Sequence, residues 1–211
     1  MYEKAIELNP SYTKALNNLG TLYLDKNNKD MALQFFELAV QSDSNYYLGR
    51  YNLGYTYFEK GDFGNAASQL MEAHKLNPTD KQLCDDLGYA YYKIEEYEQA
   101  ETCFLKALEI DATIEQVYKE LNQLYFKTKK WEAAENNLLK WLEINPGRAV
   151  SYFDLACIKS IQNQIPEGLE YLEQSFKKGY QNLDNIKTDS DIENLRETDV
   201  YQELMKMYFP D

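Results

Sequence analysis

The chain has 211 residues, with 22 basic against 35 acidic, a formal net charge of -13 and an apolar content of 44%. That apolar content supports a packed core rather than a disordered chain, and 9 Gly with 5 Pro are too few for the many turns of an all-β fold. The acidic balance repels a nucleic-acid backbone or an anionic membrane surface and favours basic partners.

Cys84, Cys103 and Cys157 form neither an even set nor a CxxC pair, so no disulfide framework is expected and a reducing compartment, such as the cytoplasm, fits. No apolar run approaches the roughly 20 residues of a membrane span. No signal-peptide pattern is visible, although the first residues read as the middle of a repeat, which leaves room for a removed leader.

Internal periodicity organises the sequence. NNLGTLY at 17–23 returns as YNLGYTY at 51–57 and DDLGYAY at 85–91, each 34 residues later, and continues as ELNQLYF at 120–126 and DLACIKS at 154–160. Second halves follow on the same interval: MALQFFELAV, AASQLMEAHKL, QAETCFLKALEI, AAENNLLKWLEI and GLEYLEQSFKK. A 34-residue unit with this pattern resembles the tetratricopeptide repeat (TPR) over almost the whole chain. The resemblance implies an all-α fold, a right-handed superhelical solenoid of antiparallel helix pairs closed by a C-terminal helical cap.

In that frame residues 1–12 carry the second helix of a preceding partial repeat, with Tyr2, Ala5 and Pro10 in the family's places and one face left uncovered. Five units follow at 13–46, 47–80, 81–114, 115–148 and 149–182. Leu19, Leu53, Leu87, Leu121 and Leu155 anchor the first helices. Beside them, Gly20, Gly54, Gly88, Asn122 and Ala156 face Ala32, Ala66, Ala100, Ala134 and Gly168 of the second helices, mostly small residues that let two helices approach closely. Tyr23, Tyr57, Tyr91 and Tyr125 add one amphipathic ring per unit. One pair cannot bury its apolar stripe alone, so neighbours must stack. Trp141 replaces the alanine of Ala39, Ala73 and Ala107, which predicts looser stacking around it, with Ala149 and Ala156 making room. Pro166 suits the first turn of a helix. Residues 183–211 are not a sixth unit and resemble the closing segment of bacterial TPR arrays; Asp189 or Ser190 is a candidate cap for one short helix, and Asp199 with Gln202 has capping-box spacing for another.

Chemistry-bearing residues are sparse. His74 is the sole histidine, in a column that otherwise reads Ile6, Val40, Leu108, Leu142 and Phe176, so it reads as a packed structural residue. No nucleophile motif, phosphate-binding glycine loop or metal-ligand spacing is present; neither an enzyme nor a cofactor or metal site is expected. The cysteines read as small apolar filler, with Cys157 placed near the groove.

The informative residues lie on the first helix of each unit. At about 100° per residue, unit positions 4, 7, 8 and 11 share the core face, positions 6, 9 and 13 point the other way, and 5 and 12 flank them. A face that met only water would be polar, yet this one and its flanks hold Tyr51, Tyr55, Phe58, Tyr89, Tyr92, Phe126 and Phe153. In the resembled family it lines a concave peptide-binding groove. Position 6 reads Asn18, Asn52, Asp86, Glu120 and Asp154, with Asp85 beside Asp86. Asparagine donates to and accepts from a peptide backbone, carboxylates favour ligand N–H groups and cations, and tyrosine faces suit proline rings or cations. Flanking aromatics also have a bland alternative, packing between first helices, and the carboxylates have one in simple solvation. The family's clamp for acidic chaperone tails needs basic residues where Gln82 and Asp86 stand, so that subtype is disfavoured.

The expected function is a protein–protein interaction scaffold that takes an extended or short helical, neutral-to-basic segment on Asn18, Asn52, Tyr55, Asp85, Asp86, Tyr89, Tyr92 and Glu120. No nucleic acid and no membrane insertion are expected. A competing reading is a structural spacer or oligomerisation module that self-associates through the exposed N-terminal helix.

Overall fold

A computed structural model describes residues 7–210 of the chain. The expected lone helix at residues 2–9, and self-association through it, lie largely outside the described residues. Among those residues the fold is all-α. In chain order the helices are α1 (Thr13–Asp25), α2 (Lys29–Ser42), α3 (Tyr47–Glu59), α4 (Phe63–Leu76), α5 (Lys81–Lys93), α6 (Tyr97–Ile110), α7 (Glu115–Thr128), α8 (Trp131–Ile144), α9 (Ala149–Ile161), α10 (Ile165–Lys177), α11 (Leu183–Thr188), α12 (Glu193–Arg196) and α13 (Asp199–Tyr208), with a 3-10 turn at Ser190–Ile192. Two compact units emerge, Met1–Glu120 and Leu121–Asp211.

Several helices start or stop on a local signal. Asn28, Asp62 and Asp80 cap α2, α4 and α5 by accepting from the backbone N–H groups of Met31, Asn65 and Leu83. Between paired helices one residue takes a left-handed backbone: Asn27, Gly61, Glu95, Lys129 and Asn163, with φ between 56° and 78°. The following N–H reaches back to a carbonyl five residues earlier, as in Asn28 to Tyr23, Asp62 to Tyr57 and Glu96 to Tyr91, which closes the helix and turns the chain. Gly61 meets this requirement without a Cβ penalty; Glu95 and Lys129 do not.

In the first unit α1 pairs with α2, α3 with α4 and α5 with α6, while α2 packs on α3 and α4 on α5. Small residues set the spacing inside each pair. A Cβ added at Gly20 would stand 2.6 Å from the Phe36 ring, at Gly54 2.8 Å from Leu70, and at Gly88 2.7 Å from the Phe104 ring. Ala32, Ala66 and Ala100 are fully buried opposite them. Leu83, Leu87 and Leu70 centre one core cluster, against which Tyr47, Tyr51, Tyr57 and Phe58 pack.

Trp141 does not loosen its surroundings: it is 3% exposed, and the Arg148 guanidinium lies 3.7 Å from its ring centroid, a cation on a π face. Pro166 sits in the first turn of α10, where its missing N–H breaks no bond. The C-terminal segment packs onto α9 and α10 through one cluster of Phe153, Cys157, Phe176, Tyr180, Ile186, Ile192, Leu195 and Tyr201, and Tyr180 stacks on Phe153 at 4.4 Å. Phe153 and Cys157 are therefore core residues rather than groove residues. Leu195 approaches so closely that a Cβ at Gly168 would stand 2.9 Å from it. Asp189 caps the 3-10 turn through Asp191 N–H. The cap of α13 is Thr198, which accepts from Tyr201 N–H at 3.1 Å. Asp199 instead falls in the first turn, where its charge suits the helix dipole.

Candidate functional site

The first helices of the first unit also touch one another, α1 against α3 and α3 against α5. This contact decides the fate of the position-6 residues. Asn52, Asp86 and Glu120 each reach position 5 of the preceding first helix, 35 residues back, whereas Asp154 of the second unit accepts from Asn122 Nδ2 at 3.0 Å. Asn52 Nδ2 donates to Asn17 Oδ1 at 2.9 Å. The Tyr51 hydroxyl donates to Asp86 Oδ2 at 2.9 Å. Glu120 lies within hydrogen-bonding reach of Asp85. The expected ladder thus runs crosswise between helices instead of standing free, and only Asn18 is exposed. A wheel drawn for one helix cannot show this, because the neighbouring helix does the covering.

Burial follows. Asp85, Asp86 and Glu120 are 9%, 8% and 7% exposed, so simple solvation does not describe them. Gln82 Nε2 donates to Asp86 Oδ1 at 3.0 Å and Gln116 Nε2 to Glu120 Oε1 at 2.7 Å, both one helical turn away. Burial pushes the Asp86 carboxyl up to about 6, against the pull of its Tyr51 and Gln82 hydrogen bonds. Burial, then the hydrogen bond and charge of Asp85, raise Glu120 well above the usual carboxylate range. Asp85 Oδ1 and Glu120 Oε2 find no donor in side chains or backbone.

Aromatic rings run along the same face. Tyr47, Tyr51, Tyr55 and Phe58 follow one another on α3 at 6.2–6.3 Å between centroids. Phe58 meets Tyr89 of α5 at 5.5 Å, Tyr89 meets Tyr92 at 6.2 Å, and Tyr92 meets Tyr97 at 5.9 Å. Tyr51 and Phe58 also pack on the core, whereas Tyr55, Tyr89 and Tyr92 remain half-buried members of the row. Phe126 belongs to the second unit, edge-on to Trp131 at 5.5 Å. Phe58, Asp85, Asp86, Tyr89, Gln116 and Glu120 line a recess of about 290 Å³. Sequence reasoning singled out Asp85, Asp86, Tyr89 and Glu120 but not Gln116, which the one-turn spacing of Gln116 and Glu120 could have flagged.

His74 Nδ1 lies 3.7 Å from Cys84 Sγ. Burial pushes the Cys84 and Cys103 thiols up to about 11 and about 12, so both stay protonated and poorly nucleophilic. Among the described residues no group of three or more His, Cys, Asp or Glu could hold a metal ion, and no helix is long and apolar enough to cross a membrane.

Residues 1–34, 49–80 and 82–113 match the tetratricopeptide repeat family. The chain is 35% identical over 60 residues to a chloroplast protein of Arabidopsis thaliana, covering 28% of this chain and only 18% of that protein. Among solved structures it is similar to YrrB, described as a TPR protein with an unusual peptide-binding site, at 20% identity with a TM-score of 0.76, over 86% of this chain and 94% of that one. It is also similar to MamA at 20% identity with a TM-score of 0.72, over 84% and 95%. The chain carries tetratricopeptide repeats, and its helix pairs have the fold of known tetratricopeptide proteins.

Proposed function

We propose that the chain is a protein–protein interaction scaffold whose first compact unit binds an extended or short helical, neutral-to-basic segment of another protein along α1, α3, α5 and the start of α7. The observation that carries this reading is the half-exposed row Tyr55–Tyr89–Tyr92 beside a recess walled by Asp85, Asp86 and Glu120. Rings offer apolar area at low entropic cost and faces for proline or cations, and the carboxylates favour a basic guest. Asn18 is free to meet a ligand backbone, and Asn52 does so with what its bond to Asn17 leaves over. The peptide-binding site described for YrrB, a protein of the same fold, supports the general reading. Nucleic acid and membrane lipid are poor partners for a chain of net charge -13.

Panning a random peptide library on the wild-type chain, with counter-selection on the Tyr55→Ala/Tyr89→Ala double variant, tests this. Recovered sequences should be enriched in Lys or Arg together with Pro or aromatic residues, and should bind the double variant at least ~10-fold more weakly, as for loss of interface hot spots. Enrichment of acidic sequences, or equal binding to the variant, contradicts it.

A further inference from the structure

The recess between Phe58 and Tyr89 holds two carboxyl oxygens, on Asp85 and Glu120, that are shut off from solvent and lack any fixed donor. A carboxyl pair stays in such a place only when a proton or a cation lies against it. The lysines in visible ion pairs of this unit are engaged elsewhere: Lys29 with Glu59, Lys60 with Asp30, Lys75 with Glu72, Lys81 with Asp111 and Lys106 with Glu109. The recess wall already accepts a cation on its other side, since Lys93 Nζ lies 5.9 Å from the Tyr89 ring centroid. At about 290 Å³ the recess is too small for an average ligand site and suits the end of one side chain.

Resting on the peptide-binding reading above, we propose that this recess takes the charged head of a single Lys or Arg side chain of the bound segment, and that the proton on Glu120 leaves to solvent as the cation enters. The cation's charge replaces the proton's, so the carboxyl pair with its guest keeps the net charge that the protonated pair had. Asp86 on α5 and Asp80 at its N-cap add negative potential, and the Tyr51 hydroxyl of α3 stays neutral because burial raises it. Gln116 of α7 keeps donating to Glu120 in either state. Binding is thereby linked to pH: the free protein holds a proton that the complex does not, so affinity rises with pH.

Titration calorimetry of the whole chain with hexalysine amide at pH 6, 7 and 8, in phosphate and in Tris, tests the linkage; the peptide's side chains stay charged throughout. For about one proton released, affinity should rise by up to ~10-fold per pH unit and the apparent heat should differ between buffers by about one buffer ionisation. Glu120→Gln, which keeps shape and donates its amide to Asp85, should lose both effects, and so should Asp85→Asn, which guards against misfolding of either variant. Tight binding that is independent of pH, an unchanged slope in both variants, or no binding overturns the proposal. If that flat binding is still lost in Tyr55→Ala/Tyr89→Ala, the face reading survives without its cation recess; if it is indifferent to all the variants, both readings fail.

Discussion

Phe104→Ala is expected to destabilise the first unit by about 3–5 kcal/mol, the usual cost of removing a fully buried aromatic ring. Phe104 of α6 is completely buried and fills the space that Gly88 of α5 leaves empty. The two residues are one packing device, because a Cβ at Gly88 would stand 2.7 Å from the ring. Gly88→Ala should therefore cost about 1–3 kcal/mol through overpacking, and less in a Phe104→Leu background, where the flat ring has gone; neighbouring substitutions of this kind couple rather than add. Repeat arrays do not always unfold in one step. Hydrogen exchange of the α5 and α6 amides is accordingly the measurement, with protection lost there first. A cost below about 1 kcal/mol for Phe104→Ala would mean that the ring does not hold the pair together.

The second large effect concerns pH. The first unit should be more stable at pH 5.5 than at pH 8, by about 0.8 kcal/mol for Asp86 alone: a carboxyl raised by roughly two units at 1.36 kcal/mol each is worth about 3 kcal/mol in full, most of it already lost between the ordinary aspartate range and pH 5.5. The sign follows from proton counts. Between the ordinary aspartate range and about 6, the folded chain holds a proton on Asp86 that the unfolded chain has lost, so its stabilising contribution is complete below that window and disappears as pH rises through about 6. Glu120, raised in the same direction, carries the decline to higher pH. Asp111 acts oppositely, since its hydrogen bond with Lys81 holds it below the usual range, but its contribution is lost only in more acid solution. Urea unfolding across this range checks the trend. Asp86→Asn should flatten it and raise stability at pH 8 while weakening a basic ligand, a trade of function for stability. Stability that climbs from pH 5.5 to 8 would show that these carboxyls are not the buried acids described.

Much of the fold could be read from the chain because its evidence repeats. Leu, Gly and Ala columns at one 34-residue spacing specify close helix pairs, and Gly20 against Phe36 and Gly88 against Phe104 are the contacts those columns imply. Tyr55, Tyr89 and Tyr92 were legible as a face of one helix. The role of Asp86 and Glu120 was not, since it depends on α3 and α5 covering one another and on bonds such as Tyr51 to Asp86 that join residues 35 apart. Phe153 and Cys157 were misplaced for the same reason: the segment containing Tyr180 and Ile186 covers them, and no periodicity within α9 announces it. Trp141 looked too large for its column because Arg148, the cation that flattens over it, comes from outside that column.

The face that receives the guest is tested most directly by mapping a library-selected peptide onto the backbone amides of the chain by NMR. Shifts are expected on α3 and α5, around Asn52, Tyr55, Asp86 and Tyr89, and reaching Glu120. Shifts confined to α2, α4 and α6, where Leu38, Leu76 and Leu105 are exposed, would contradict it.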